Sequence, residues 1–401
     1  MNSMMGAEVA EKWLVPLIDP KSIYKNLEGE LESAFRRVLR SGRFILGPEV
    51  EAFERTAAEW LSSEHCVAVS SGTDALLSSL MALDIGPGDE VITSPFTFVS
   101  SAEVILRVGA TPVFADVCPR CLCLDPASVM DVLGPNTKAV MPIHLYGDLG
   151  HIEELQELTG RLGVYLIEDA CQAFGSRLNT RKAGTFGQIG CFSFFPTKTL
   201  GGFGDAGLLC TDDEALATRL RSLRSHGRSD KHRFSQLGGN FRIDALHAAL
   251  LGVLLGMADG WISSRADVAR HYTKTLSGLT GVRTPRTCSG CDSAWNAYTI
   301  RVAHQRNALV QHLRAAGIEI GLYYPVTLAD QAIFANGRHS ISGLRQARSA
   351  AQEVASLPIY PGIPPDDQAL VIRRIREYIQ GDDTASSSAQ SHTVPSIRIP
   401  P

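Results

Sequence analysis

The sequence lacks an excess of basic charge, because 38 Lys and Arg residues stand against 42 Asp and Glu, for a formal net charge of −4. A general nucleic-acid binder carries a basic stripe, so this balance argues against that class of protein. No apolar run approaches the roughly 18 residues of a membrane span. The N-terminal segment MNSMMGAEVAEKWLVPLID also lacks the basic-then-apolar pattern of a secretory signal. We therefore expect a cytoplasmic protein that binds neither nucleic acid nor membrane.

Nine cysteines are present, an odd number that does not suit a disulfide framework. Three of them lie within apolar, strand-like runs typical of reduced, buried thiols: Cys66, Cys191 and Cys210.

Two cysteine clusters have the C-x-x-C spacing of structural zinc sites. They are Cys118-x-x-Cys121-x-Cys123 and Cys288-x-x-Cys291. The clusters lie far apart in the sequence, and no histidine accompanies either one. We therefore expect no metal site and interpret these residues as loop cysteines.

The segment CFSFFPTKTLGGFGDAG, residues 191–207, sets Lys198 among aromatics, hydroxyls and glycines. A phosphate-binding loop needs glycine directly before its lysine, and Thr197 stands there instead. A G-x-G-x-x-G pattern at residues 202–207 is followed by the apolar run LLCT and not by the helix that a dinucleotide site requires. Lys198 is therefore either a solvated surface charge or the covalent anchor of a cofactor.

Apolar runs alternate with helical patterns between residues 65 and 210. The seven runs are CVAVS, EVITSP, TPVFADV, AVMPIHLYG, VYLIEDA, CFSFF and GLLCT. Strands alternating with helices predict βαβ units and a mostly parallel sheet covered on both faces. Ligands bind such sheets at the carboxyl ends of the strands, so the polar residues after each run are candidates for a site.

The length of 401 residues favours two domains. We predict a large α/β domain over residues 14–260, with an N-terminal part that can pack on the small domain. A smaller α+β domain is predicted over residues 261–380. The Ser- and Pro-rich segment 381–401 has no periodicity, and we interpret it as a disordered tail.

Two predicted strand ends carry polar groups that suit an anionic, ring-shaped ligand. After AVSS a helix begins near Thr73, and its free N–H groups, with Gly72 allowing close approach, favour phosphate binding; a plain helix cap is the alternative. Glu168 and Asp169 end a buried strand, where a carboxylate needs a partner. An N-cap or a salt bridge explains these acids equally well.

One cofactor uses a phosphate site, a buried carboxylate and a partly desolvated lysine together: pyridoxal 5′-phosphate (PLP). The carboxylate keeps the ring nitrogen protonated, and the lysine forms a Schiff base with the aldehyde. Phe98, at another strand end, offers an aromatic face for the ring, with ordinary core packing as the alternative.

Five segments resemble the DegT/DnrJ/EryC1/StrS family of PLP-dependent nucleotide-sugar aminotransferases, and the resemblance runs in order over roughly residues 14–378. They are SSGTDAL, GDEVITSPFTFVSSAE, IEDACQAFGS, FSFFPTKTLGGFGDAG and GGNFRIDALHAALL. The resemblance implies the fold-type I α/β architecture, with a mostly parallel seven-stranded sheet and a smaller C-terminal α+β domain.

The resemblance also implies roles around the cofactor. Lys198 would be the Schiff-base lysine, Asp169 the partner of the ring nitrogen, Gln172 the partner of the ring hydroxyl and Phe98 the stacking ring. Three residues would hold the phosphate: Gly72, Thr73 and Ser193. Asn240 would reach the phosphate from the neighbouring subunit, which implies a homodimer with shared sites.

The activity that the resemblance implies is transamination, because relatives that are sugar dehydratases carry histidine in place of Lys198. L-Glutamate would donate its amino group through pyridoxamine phosphate to a 3- or 4-keto sugar linked to a nucleoside diphosphate. Arg242 would meet the diphosphate, and Tyr323 and Tyr324 would contact the nucleotide or sugar. Asn296 stands where many relatives have histidine, which leaves the identity of the sugar open.

Two alternatives remain at this point. The first is an aminotransferase that acts on a keto-cyclitol or an aminoshikimate-type ring. The second is a PLP-binding regulator without turnover. The basic segment HGRSDKHRF, residues 226–234, is either a solvated loop or a rim that attracts phosphate.

Overall fold

A computed structural model describes residues 13–303, 305–335, 338–339 and 343–389. The helices are α1 (Pro20–Tyr24), α2 (Glu28–Ser41), α3 (Pro48–Leu61), α4 (Gly72–Ala82), α5 (Ser100–Arg107), α6 (Pro126–Val132), α7 (Ile152–Leu162), α8 (Glu214–Leu223), α9 (Ala245–Leu255), α10 (Ala258–Leu276), α11 (Arg306–Ala315), α12 (Arg345–Glu353) and α13 (Pro365–Ala389).

The strands are short, as is usual for sheets of this kind. They are β1 (His65–Val69), β2 (Glu90–Thr93), β3 (Thr111–Phe114), β4 (Thr137–Met141), β5 (Tyr165–Asp169), β6 (Arg177–Leu178), β7 (Arg181–Lys182), β8 (Ile189–Ser193), β9 (Gly207–Thr211), β10 (Arg228–Asp230), β11 (Arg233–Phe234), β12 (Val282–Arg283), β13 (Cys291–Asp292), β14 (Tyr298–Val302), β15 (Arg338–His339) and β16 (Val354–Leu357).

The central sheet has the strand order β1-β9-β8-β5-β4-β2-β3-β15. Strand β9 runs antiparallel to both of its neighbours, and the remaining pairs are parallel. The mostly parallel α/β sheet that the sequence predicts is therefore confirmed. The glycine pattern at 202–207 leads into β9 and not into a helix, as expected.

The predicted count of seven strands is wrong by one, because β15 adds an eighth at the edge. Arg338 and His339 pair in parallel with Val113 and Phe114 of β3. A strand of two residues has no alternating apolar pattern, so periodicity does not reveal it.

Helices cover both faces of the central sheet. In β1, Cys66 and Ala68 belong to the apolar core shared with α2, α3 and α9, whereas Val67 and Val69 belong to the core shared with α4, α5 and α8. Successive side chains of a strand point to opposite faces, so one continuous apolar run serves two cores.

The C-terminal part forms a smaller layer, in which the antiparallel sheet β12-β14-β16 packs with α10, α11 and α13 around its own core. Val15 belongs to this core and forms an isolated β-bridge with Ile318. Helix α13 continues to Ala389, into the segment for which a tail is predicted. The remainder of that segment, residues 390–401, lies outside the described residues.

Within the described ranges, no single helix has the length and apolar character needed to cross a membrane. Helices α9 and α10 satisfy those two criteria only when taken together, and the chain bends by 60° at the break between them.

Candidate active site

A cavity of about 670 Å³ lies at the carboxyl ends of β1, β5 and β8, where the central sheet meets the smaller layer. Its walls carry nine of the residues predicted from the sequence: Gly72, Thr73, Phe98, Asp169, Gln172, Ser193, Lys198, Tyr323 and Tyr324. The size falls within the range of small-molecule sites, about 300–1,000 Å³. One site therefore gathers side chains that are separated by more than two hundred positions in the chain.

Helix α4 begins at one wall of this cavity. Ser71 is its N-cap, and the Ser71 Oγ accepts a hydrogen bond of 3.0 Å from the backbone N–H of Asp74. Gly72 lies against β8 so closely that a Cβ there would come within 2.7 Å of the Ser193 Cβ and 2.9 Å of the Cys171 Sγ. The helix N-terminus, with its partial positive charge, thus opens directly beside the hydroxyl of Ser193.

Asp169 is the last residue of β5 and lines the cavity. Its carboxylate accepts a 2.6 Å hydrogen bond from the Ser101 hydroxyl and a 3.2 Å bond from the Cys171 backbone N–H. The residue is only 4% exposed. A carboxylate has about four acceptor positions, so this one retains capacity for a donor on a bound ligand.

Glu168 belongs to the opposite face of β5 and is structural. It accepts hydrogen bonds from the backbone N–H groups of Gly184, Phe186 and Gly187, at 2.6–2.8 Å. The His144 Nε2 lies 2.8 Å from the same carboxylate. Glu168 is therefore held by hydrogen bonds within the protein, whereas Asp169 faces the cavity.

Lys198 lies in the loop between β8 and β9, which closes on itself. The backbone N–H of Gly202 donates to the Phe194 carbonyl at 2.7 Å, and the Phe194 N–H donates to the Ala206 carbonyl at 2.8 Å. Burial lowers the pKa of the Lys198 amine, while Cys171 and Asp169 act in the opposite direction. A lysine in such a site is readily available as a neutral nucleophile.

Gln172 is held from two sides. Its Oε1 accepts a hydrogen bond of 3.0 Å from the backbone N–H of Tyr146, and its Nε2 donates to the Tyr324 hydroxyl at 3.3 Å. Burial raises the pKa of Tyr324, which therefore stays protonated. Phe98 is 55% exposed, with its ring centroid 6.4 Å from that of Tyr324. The two aromatic rings and the Gln172 amide line the cavity.

Two predicted residues, Asn240 and Arg242, do not line the cavity of this chain. Asn240 is exposed, and its backbone forms an isolated antiparallel β-bridge with Ser225. The backbone of Arg242 forms a similar β-bridge with Val69. Among the described residues, the Arg242 Nε is buried and lacks a hydrogen-bond partner.

Several polar residues in the cavity wall were not predicted from the sequence. They are Thr97, Ser100, Ser101, Cys171, Thr197, Asp205 and Ser356. Ser101 belongs to the first turn of α5, directly after the strand-end segment that contains Phe98. Its position after a predicted strand end was the available signal, but its contact with Asp169 depends on the fold.

Comparison with known proteins identifies the family. The sequence profile of the DegT/DnrJ/EryC1/StrS aminotransferase family matches residues 25–376. The chain belongs to this family. A member from Streptomyces venezuelae, dTDP-3-amino-3,4,6-trideoxy-alpha-D-glucose transaminase, is 39% identical over 94% of this chain and 99% of its own length.

Two solved structures share the fold. DesV of S. venezuelae superposes with a TM-score of 0.88 and 39% identity, over 91% of this chain and 98% of DesV. The structure of NtdA from Bacillus subtilis, with its cofactor PMP bound, gives a TM-score of 0.82 at 27% identity, over 91% and 83% of the two chains. The family and fold predicted from the sequence are thereby confirmed, as is the aminotransferase class.

The cofactor of this aminotransferase is pyridoxal 5′-phosphate, and the residues present fit it. A Cβ at Gly72 would lie within 3 Å of Ser193 and Cys171, so the bare backbone of Gly72 brings the α4 N-terminus and the Ser193 hydroxyl side by side, where a phosphate can approach backbone N–H groups closely. Asp169 offers a buried carboxylate with spare acceptor capacity, and Lys198 offers an amine of lowered pKa. These three features lie on the wall of a single cavity.

Proposed function

We propose that this aminotransferase moves an amino group from L-glutamate to the keto group of a sugar linked to a nucleoside diphosphate. The observation that carries the proposal is the convergence of Lys198, Asp169 and the α4 N-terminus on one cavity of about 670 Å³. The cavity continues to Tyr323 and Tyr324 in the smaller layer, which leaves a wall for a second molecule beside the cofactor. The name of the S. venezuelae relative gives its substrate as a dTDP-linked amino sugar, which supports the choice of substrate.

When bound, PLP supplies an electron sink for the carbanion that forms at the amine-bearing carbon. The proposed part of Lys198 is to anchor the cofactor and then, once released by the incoming amine, to carry the proton between the two reacting carbons on its Nζ. Its lowered pKa suits this work, because an amine that loses its proton easily can accept one from carbon.

Other side chains orient the reacting groups. Asp169 would accept a hydrogen bond from the protonated ring nitrogen, and Ser101 and the Cys171 N–H fix its carboxylate. Gln172, held by the Tyr146 N–H, would present its amide to the ring hydroxyl. Phe98 would cover the ring face. Gly72, Thr73 and Ser193 would receive the phosphate.

We further propose that the site is completed by a second copy of this chain. Asn240 is exposed and lies outside the cavity of its own chain, as a residue that serves a neighbour would. The same segment exposes large apolar side chains, since Phe234 is 63% and Leu237 85% exposed. Exposed apolar residues next to a polar functional residue favour an interface between subunits. Arg242, two positions further, is proposed to meet the diphosphate.

The experiment is a panel of keto sugar nucleotides that differ in base and in the position of the keto group, each incubated with the PLP-loaded enzyme and L-glutamate. The expected result is an aminated sugar nucleotide, detected by mass spectrometry, together with an equal amount of 2-oxoglutarate. Amination of free keto-cyclitols instead would support the carbocycle alternative. If no acceptor leads to the formation of 2-oxoglutarate, the result would support the alternative of a PLP-binding regulator without turnover.

A further inference from the structure

A second cavity, of about 370 Å³, shares no lining residue with the active-site cavity. Cys118, Cys121 and Cys288 line it together with His151, so the fold brings both cysteine pairs of the sequence to one place. No histidine lies close to either cysteine pair along the sequence. In the folded chain, His151 stands directly at the first pair.

Cys118, Cys121 and His151 form a compact set of soft ligands. The two Sγ atoms and a ring nitrogen of His151 all lie within 4.8 Å of one another. The Cys118-x-x-Cys121 loop is a tight turn, in which the Leu122 N–H donates to the Cys118 carbonyl at 2.9 Å and the Cys118 N–H donates to the Cys123 carbonyl at 2.8 Å. Such a turn directs both thiols to the same side, which is how C-x-x-C pairs bind zinc.

The histidine is oriented as a ligand. His151 caps α7, and its Nδ1 lies 3.0 Å from the Glu154 Oε1, one turn into the helix. A metal-binding histidine commonly gives its second ring nitrogen to a carboxylate, which fixes the tautomer and the ring. This contact leaves the Nε2 of His151 for a metal.

The neighbouring thiol Cys123 has another partner. Its Sγ lies 3.4 Å from the backbone carbonyl oxygen of Asp148, and the residue is only 3% exposed. A thiol that donates to a carbonyl keeps its proton and is not a metal ligand. Cys123 therefore serves as a control for Cys118 and Cys121, because it lies in the same loop and is not expected to bind the metal.

A second group, formed by Asp148, Cys288 and Cys291, is also compact, with ligand atoms within 4.8 Å. The Asp148 carboxylate, however, already accepts the backbone N–H groups of Gly150 at 2.8 Å and Cys288 at 3.0 Å. This carboxylate is an anchor for the 288–291 loop. The anchor holds Cys288 at the wall of the same cavity as the first group.

We propose that Cys118, Cys121 and His151 bind a thiophilic divalent cation, Zn²⁺ by preference, with the remaining coordination position open to the cavity that Cys288 also lines. Thiolate and imidazole are the ligands that select zinc over magnesium or calcium. Two thiolates also neutralise the charge of the dication, so the site carries no net charge. The metal joins the loop after β3 to the start of α7.

The test measures metal content directly. The full-length PLP enzyme is purified with a reductant and without chelator, and its zinc is determined by plasma mass spectrometry. The expected content is about one Zn²⁺ per chain, and Co²⁺ substitution should give a thiolate-to-cobalt charge-transfer band. Cys118→Ser, Cys121→Ser and His151→Gln should each lower the metal content several-fold, whereas the control Cys123→Ser should retain it.

Two results would overturn the proposal. One is wild-type protein that holds no zinc and develops no charge-transfer band with Co²⁺. The other is Cys123→Ser losing as much metal as Cys118→Ser. If a ligand variant fails to fold, chelator-stripped wild-type protein that keeps its circular dichroism spectrum serves instead. Recovery of the cobalt band on titration supports the site, and its absence refutes it.

Discussion

Glu168 and Asp169 are adjacent in the sequence and serve opposite faces of strand β5. The Asp169 carboxylate faces the active-site cavity and accepts the Ser101 hydroxyl at 2.6 Å. The Glu168 carboxylate binds three backbone N–H groups and lies 2.8 Å from the His144 Nε2. One acid therefore faces the proposed cofactor site and the other is hydrogen-bonded within the protein, because successive side chains of a strand point to opposite faces.

This division predicts different effects for two matched amide substitutions. Asp169→Asn should lower kcat by on the order of 10²–10³-fold, as loss of a group that stabilises charge in a catalytic site does, with little change in unfolding free energy. Glu168→Gln should cost about 3 kcal/mol of stability, since it sets an amide donor against backbone donors. Urea unfolding and steady-state kinetics measure both quantities. A Glu168→Gln variant of full stability but with the low kcat expected for Asp169→Asn would contradict the assignment.

Substitution of Gly72 tests the proposed phosphate site. Gly72→Ala places a Cβ within 2.7 Å of the Ser193 Cβ, so β8 and α4 must separate. We expect a loss of about 1–3 kcal/mol in stability from overpacking and a weaker affinity for PLP. Thermal unfolding and fluorescence titration with the cofactor measure the two effects.

The control for this prediction is Gly160→Ala in helix α7. A Cβ at Gly160 would meet nothing within 4 Å. Alanine in a helix interior is about 0.5–1 kcal/mol more favourable than glycine, so this variant should be slightly stabilised with unchanged cofactor affinity. Equal losses in both variants would show that the close approach of Gly72 to Ser193 is unimportant.

Much of this architecture follows from sequence patterns, and the remainder has physical reasons to escape them. The strand ends at Asp169 and Ser193 can be predicted from the sequence because a buried strand is a continuous apolar run. Ser101 is an ordinary helix residue in sequence, and only the tertiary fold brings the first turn of α5 to Asp169 at the end of β5. His151 likewise meets Cys118 only because the start of α7 lies beside the loop after β3. Contacts between distant segments are set by tertiary packing, which local periodicity does not encode.

The lowered pKa of the Lys198 amine predicts that the unfolding free energy of the cofactor-free protein depends on pH. Burial lowers the pKa of its amine from the ordinary value of 10.5, so at low pH the folded state bears the full cost of a charged buried group. That cost is relieved as pH rises from the folded pKa to 10.5, because the unfolded chain then holds more protons. Lys198→Met should therefore be more stable than wild type at pH 7.

The stability advantage of Lys198→Met should shrink as the pH approaches 10.5. Denaturant unfolding of the apoproteins across this range measures it. The exposed Lys231 supplies the control, since Lys231→Met should show no such trend. A Lys198→Met variant that is less stable than wild type at neutral pH would show that the amine is not a strained, desolvated group.

The shared-site proposal predicts complementation between two inactive variants. Lys198→Ala lacks the anchor of its own site, and Asn240→Ala lacks the residue that serves the neighbour. Because a twofold interface is used identically by both copies, an equal mixture should recover about one quarter of the wild-type sites. Activity assays after co-refolding measure the recovery. No recovery, with mixed dimers shown by size-exclusion chromatography of tagged chains, would place both residues in one chain's site.

The most direct measurement of the central claim is borohydride reduction of the PLP-loaded enzyme, followed by digestion and peptide mass spectrometry. The account predicts that the reduced cofactor remains attached to the peptide that contains Lys198. Attachment at another lysine, or no attachment to any peptide, would contradict it.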